Sequence, residues 1–213
     1  MSQIVQQMLT CVGGILAGLA LAVPLLWRQQ RALMRARWVA THDDITGLPN
    51  RRLFLTHLRA ALADNTPAGV VLLDLNNFKT VNDSLGHEVG NDLLDQVGRR
   101  LASLPSPMRI AARLSGDEFA LLVTGGREDT AAAANAAWQA IAADSIRVVN
   151  GDLHVTASVG YTHTHTHHPT MSTRQLLTQA DSAMYEAKTA DGGVREYLPH
   201  RTATVRSRDR QRH

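Results

Sequence analysis

AARLSGDEFALLV, residues 111–123, decides how the rest of the chain is read. Two apolar runs with strand character flank a Ser-Gly turn, and two adjacent acids, Asp117 and Glu118, follow that turn at once. Like charges side by side repel, and both lose hydration against a sheet, so the pair is costly unless a cation binds them. A third acid stands in a similar setting: Asp74 ends the apolar run VVLLD, residues 70–74. The three carboxylates are expected to share metal ions, and the ions to hold a nucleotide.

Charge is unevenly spread. The 213-residue chain carries a formal charge of +3. Between His42 and Leu198 there are 18 acidic and 13 basic residues, whereas four arginines crowd residues 28–37 and five more lie in the tail from Pro199. The basic excess belongs to the ends, which argues against a nucleic-acid-binding face on the folded middle. The single cysteine, Cys11, excludes an internal disulfide and a cysteine zinc site. Only two of the 22 basic residues are lysines, Lys79 and Lys188. An ammonium is a compact point charge suited to phosphate oxygens.

Residues 8–27, MLTCVGGILAGLALAVPLLW, hold no charge and are long enough to span a bilayer as a helix. Trp27 and Arg28 at the C-terminal end predict a single pass through the inner (cytoplasmic) membrane, with the remaining chain in the cytoplasm. The expected organisation is a short segment 1–7, a transmembrane helix 8–27, a basic helical linker 28–41, a folded domain 42–198, and a basic disordered tail 199–213.

Within the domain, periodicity predicts helices over 50–63, 91–104, 130–143 and 172–189, and a buried strand over 70–75. One hairpin joins 108–114 to 118–123, and a second joins 146–149 to 153–161 across Asn150-Gly151. This mixture predicts an α+β fold, a mostly antiparallel sheet flanked by helices.

Five motifs then fall in order: THDDITGLPNRR (41–52), LLDLNNFKTVND (72–83), GHEVGNDLL (86–94), RLSGDEF (113–119) and ADSAMYEAK (180–188). Over roughly residues 41–198 the chain resembles the GGDEF-domain diguanylate cyclases. The resemblance implies a palm-like fold related to adenylyl cyclases and polymerases. It implies condensation of two GTP into cyclic di-GMP and two pyrophosphates by a homodimer, each domain carrying half of the active site. It implies two Mg²⁺ (or Mn²⁺) ions per active site, held by Asp74, the Leu75 carbonyl, Asp117 and Glu118, with Asp117 favoured for activating the attacking 3′-hydroxyl. It also implies phosphate binding by the turn amides of Asn76, Asn77 and Phe78 and by Lys79 and Lys188, guanine reading by Asn82 and Asn91, and close substrate approach at Gly116.

Four departures from the family pattern bear on activity. Asn91 stands where the family reads guanine with an aspartate. An amide turns its NH₂ toward a donor edge, and the unpaired groups cost about 1–3 kcal/mol. The readings are therefore a cyclase that tolerates the amide, a cyclase with altered purine choice, or an impaired nucleotide-binding signalling module. Gly192 stands where the family often has a phosphate arginine, with Arg195 a substitute shifted by three residues. Ser115 opens the signature in place of glycine and is expected to be tolerated because it is small. Ser106-Pro107-Met108-Arg109 occupies the register of the family's Arg-x-x-Asp product-inhibition pair, so that site is expected to be absent. Separately, THTHTHHP (162–169) alternates His163, His165 and His167 and adds His168. It reads as an exposed loop or, on a strand, as a transition-metal face.

Overall fold

The computed structural model describes residues 3–64, 66–148, 151–164 and 171–199, the side chains of 4–7 and 9–21 excepted. The chain divides into two units, Met1–Ala40 and Thr41–His213. The first is built on one helix, α1 (Gln3–Thr41), which contains Pro24. Arg31 lies over the Trp27 ring at 5.9 Å. Among the described residues no helix is long and apolar enough to cross a membrane. The transmembrane reading of 8–27 is thus unsupported by the fold, although most of its apolar side chains, 9–21, lie outside the described residues.

The second unit runs α2 (Arg51–Ala63), β1 (Ala68–Leu75), α3 (Phe78–Leu85), α4 (His87–Ala102), β2 (Met108–Ser115), β3 (Glu118–Thr124), α5 (Arg127–Ala142), β4 (Ile146–Val148), β5 (Gly151–Leu153), β6 (Ala157–His163), α6 (Thr173–Thr189) and β7 (Gly193–Glu196). Five strands form one sheet in the order β2-β3-β1-β6-β7. All pairs are antiparallel except β6 with β7. The expected α+β architecture is therefore present.

Side-chain alternation along the central strands explains the layering. Val71, Leu73 and Leu75 of β1, with Phe119, Leu121 and Val123 of β3, join Leu93, Leu94 and Val97 of α4 and Ala134, Ala137 and Ile141 of α5 in one core. Val70 and Leu72, with Ala120 and Leu122, join Phe54 and Leu58 of α2 and Leu176, Ala180 and Met184 of α6 in a second core. Asn50 caps α2, its side chain accepting from the Leu53 N–H at 3.2 Å. Ser172 and Gln175 form a capping box that starts α6. Gly160 lets the backbone of α6 press onto β6, where a Cβ would collide with Met184 N and Ala180 O.

Three sequence expectations need correction. Of 153–161 the second hairpin includes only Leu153: β4 pairs with the short β5, and β6 leaves to pair with β1 in the main sheet. The exposed residues His154 and Thr156 break the run, and only Val155 between them is buried. α4 begins at His87 rather than 91. Helix α3 and edge strand β7 are additional: α3 has only two core-packed apolar residues, Phe78 and Val81, and the half-buried GVRE of β7 shows no alternation.

Candidate active site

Parity along β1 decides which way the first acid points. Residues 70 and 72 face α2 and α6, so Asp74 lies on that same face at the strand's end. Asp74 stands directly opposite Glu118 in the antiparallel β1/β3 register. Like charges so placed are destabilising. Lys188, in the last turn of α6, donates to Asp74 Oδ1 at 2.8 Å, with side chains 53% and 10% exposed respectively. The hydrogen bond to Asp74 is the main cause that raises the Lys188 pKa.

Asp117 sits in the turn between β2 and β3, and its carbonyl accepts from the Leu75 N–H at 3.3 Å. Partial burial, then the charge of Asp74, push the Asp117 carboxyl above the ordinary carboxylate range. Glu118 Oε2 accepts from Ser115 Oγ at 2.8 Å. The turn itself needs Gly116, whose φ is +46°.

The expected three-acid cluster is not closed. Among the described residues no group of three His, Cys, Asp or Glu side chains is arranged to hold a metal ion. Lys188 instead neutralises Asp74, and Ser115 holds Glu118. The donor chemistry still fits a hard divalent cation: the three carboxylates adjoin closely enough for Asp74 and Glu118 to perturb Asp117. Leu75 is buried and brings only backbone groups.

The turn expected to bind phosphate is also partly occupied by the protein's own groups. The Asn76 N–H is already donated to the Thr156 carbonyl at 2.9 Å. Its side chain bridges Thr156 Oγ1 and Ser158 Oγ, each at 2.8 Å. Asn77 adopts a left-handed conformation and starts α3 without a side-chain cap. Of the expected turn amides only that of Asn76 is consumed, and the first-turn amides of α3, Phe78, Lys79 and Thr80, adjoin Asn77. Lys79 is exposed there.

Asn82 of α3 lies against Gly90 of α4, where any Cβ would collide with its Oδ1. Asn91, the next residue along α4, is exposed. The two expected base readers lie on α3 and α4, the helices that approach each other at Gly90. The structure does not assemble the arginine clamp. Gly192 has φ +102°, and a Cβ there would meet Asn76 Nδ2 at 3.1 Å. Arg195 donates to the Val194 carbonyl at 2.9 Å, at its own strand.

Several residues were missed at the level of sequence. Arg113 donates to both Asp43 oxygens at 2.9 and 3.0 Å and to the Gly116 carbonyl at 2.9 Å, tying the signature turn to the opening motif. Burial works to raise the Asp43 pKa, but bonds from Arg113 and Thr46 outweigh it and hold the carboxyl below its ordinary range. An arginine inside an apolar strand was the available signal. Arg51, Thr178 and Asp181 line a cavity of about 290 Å³ beside Glu118. Burial, then Glu118, raise the Asp181 pKa. Positions 177, 178, 181 and 184 share one helical face, whereas periodicity predicted only a helix there. Of the histidine tract, His163 ends β6, while His165, His167 and His168 lie outside the described residues.

Comparison with known proteins bears on the family and the fold. The family described as "Diguanylate cyclase, GGDEF domain" matches residues 40–193. The cyclic di-GMP phosphodiesterase PdeR of Escherichia coli is 34% identical over 177 residues, 78% of this chain and 25% of PdeR. An uncharacterized signaling protein of Caulobacter vibrioides is 33% identical over 84% of this chain and 22% of its own length. This chain thus spans about a quarter of those relatives. A Streptomyces griseus protein encoded in the hutH 5′ region is 38% identical over 76% of this chain and 68% of its own. The coiled coil and GGDEF domain of DgcB from Caulobacter crescentus, solved with c-di-GMP, superposes with a TM-score of 0.76 at 27% identity, covering 85% of this chain and 98% of that one. The GGDEF domain of YfiN from Pseudomonas aeruginosa gives 0.68 at 30% identity, covering 78% and 99%. By its motifs, its fold and these matches, the chain belongs to the diguanylate cyclase GGDEF-domain family.

Proposed function

We propose that the domain is a diguanylate cyclase, condensing two GTP into cyclic di-GMP and two pyrophosphates as a homodimer. The observation that carries this reading is Asp74 opposite Glu118, with Lys188 upon it, at the end of β1 where the uncapped α3 begins. Asp74, Asp117, Glu118 and the Leu75 carbonyl would hold two Mg²⁺ (or Mn²⁺) ions, which when bound acidify a ribose 3′-hydroxyl and offset charge on the leaving pyrophosphate. The first-turn amides of α3, with Lys79 and Lys188, receive the triphosphate. Asn82 and Asn91 meet the base, and Gly116 leaves room for the sugar. Asp117, beside the attacking hydroxyl in this reading, accepts its proton. The 3′-oxygen then bonds to the α-phosphorus of the partner's nucleotide as the α–β phosphoanhydride bond breaks. A second, reciprocal transfer closes the ring.

Purified protein incubated with magnesium and GTP, ATP or both, with products identified by mass, tests this. Cyclic di-GMP from GTP, abolished in Asp74→Asn and Glu118→Gln, supports it. No product from any nucleotide refutes it and favours a signalling module that binds nucleotide without turnover. The specific observation behind that second reading is the amide at Asn91. A product containing adenine instead assigns altered purine choice.

The uncharged run 8–27 supports a single-pass anchor in the cytoplasmic membrane with the domain in the cytoplasm. Recovery of the full chain in the soluble fraction after cell lysis refutes that anchor. The Ser106–Arg109 register supports an absence of tight product inhibition by that route.

A further inference from the structure

We propose that Ser115 is a positioning residue for Glu118, an added device that the glycine it replaces in the signature cannot supply. The inference deepens the cyclase reading and rests on it for the role of Glu118. Four residues stand at one level across the sheet. Ser115 of β2 pairs with Glu118 of β3, Glu118 with Asp74 of β1, and Asp74 with Ser158 of β6. Two like charges occupy the middle of that row.

Each charge is tied by a different group. Lys188 takes Asp74 Oδ1 at 2.8 Å. The Ser115 hydroxyl takes Glu118 Oε2, also at 2.8 Å. A register shift between Arg113 and Ser115 carries the hydroxyl to this place: the strand slips there, so residue 115 rather than 114 closes the hairpin opposite Glu118. A glutamate side chain has three rotatable bonds, and holding it still costs conformational entropy. The serine meets that cost before any cation arrives. One carboxylate oxygen is bonded, and Oε1 remains for the cation. Ser115 is exposed, so its hydroxyl serves no buried network.

The test compares Ser115→Ala, Ser115→Gly and Ser115→Thr in the full chain. Free Mn²⁺ is counted by electron paramagnetic resonance in a titration without nucleotide, and the Mn²⁺ dependence of GTP condensation is measured in parallel. The Ala and Gly variants are expected to bind Mn²⁺ about three- to tenfold more weakly, from the lost pre-ordering of one side chain. Their activation constant for Mn²⁺ should rise by the same factor with the rate at saturating Mn²⁺ little changed, and the Thr variant should restore both. Equal Mn²⁺ affinity in all four proteins, or no Mn²⁺ binding by the wild type, overturns the inference. If the wild type binds Mn²⁺ with the expected Ser115 dependence yet makes no product, the positioning role stands and the cyclase reading falls.

Discussion

Replacing Lys188 with Met removes the cation that donates to Asp74 Oδ1. Asp74 is nearly buried and faces Glu118, whereas Lys188 is about half exposed. A hydrogen bond between charged groups contributes about 1.5–3 kcal/mol, and exposure of the ammonium reduces this through solvent screening. The expected loss is therefore about 1–2 kcal/mol. For a unit of this size that lowers Tm by roughly 2–8 °C. Thermal unfolding in excess chelator, followed by circular dichroism, reads the effect. Adding Mg²⁺ should then recover more stability in Lys188→Met than in the wild type, because the cation no longer competes with an ammonium for Asp74 Oδ1. A variant that melts with the wild type in chelator, and gains no more from Mg²⁺, would refute the idea that Lys188 stands in for a metal ion.

Arg113→Met should cost about 2–4 kcal/mol in urea unfolding, since it strands a partly buried Asp43 and releases the Gly116 carbonyl. The Asp43 pKa is depressed in the fold, so its contribution is complete above the ordinary value of 3.8 and is lost as pH falls from there through the lower folded value. That acid limb of the stability profile should vanish in Arg113→Met. Gly192→Arg, which would reinstate the family arginine, should lose about 1–3 kcal/mol with no gain in GTP KM, because φ is +102° and Asn76 Nδ2 lies in the way. Asn91→Asp should lower the KM for GTP about tenfold and leave any adenine-containing product reduced, as steady-state kinetics with both nucleotides would show.

Much of the site was legible in the chain because its chemistry is local. Asp74 closes an apolar run, and Asp117 and Glu118 follow a turn, so their spacing shows without coordinates. Lys188 was legible as a phosphate partner but not as the ion-pair partner of Asp74, a contact between residues 114 apart in sequence. Asn76 looked like a phosphate-binding turn residue, yet Thr156 and Ser158, brought near by β6, consume its polar groups. The second hairpin was misread for a related reason. Asn150-Gly151 predicts a turn but not how far the returning strand stays paired, and β1 wins β6 because the central sheet buries it on both faces.

Residue order by itself determined the family, the central strands, the main helices and the acids proposed to carry the chemistry, since alternation, helical spacing and short motifs act over a few neighbours. Only the tertiary structure decided which groups those acids touch. The cross-sheet row of Ser115, Glu118, Asp74 and Ser158 depends on strand order and register, and those follow from burying the two faces of β1 at once.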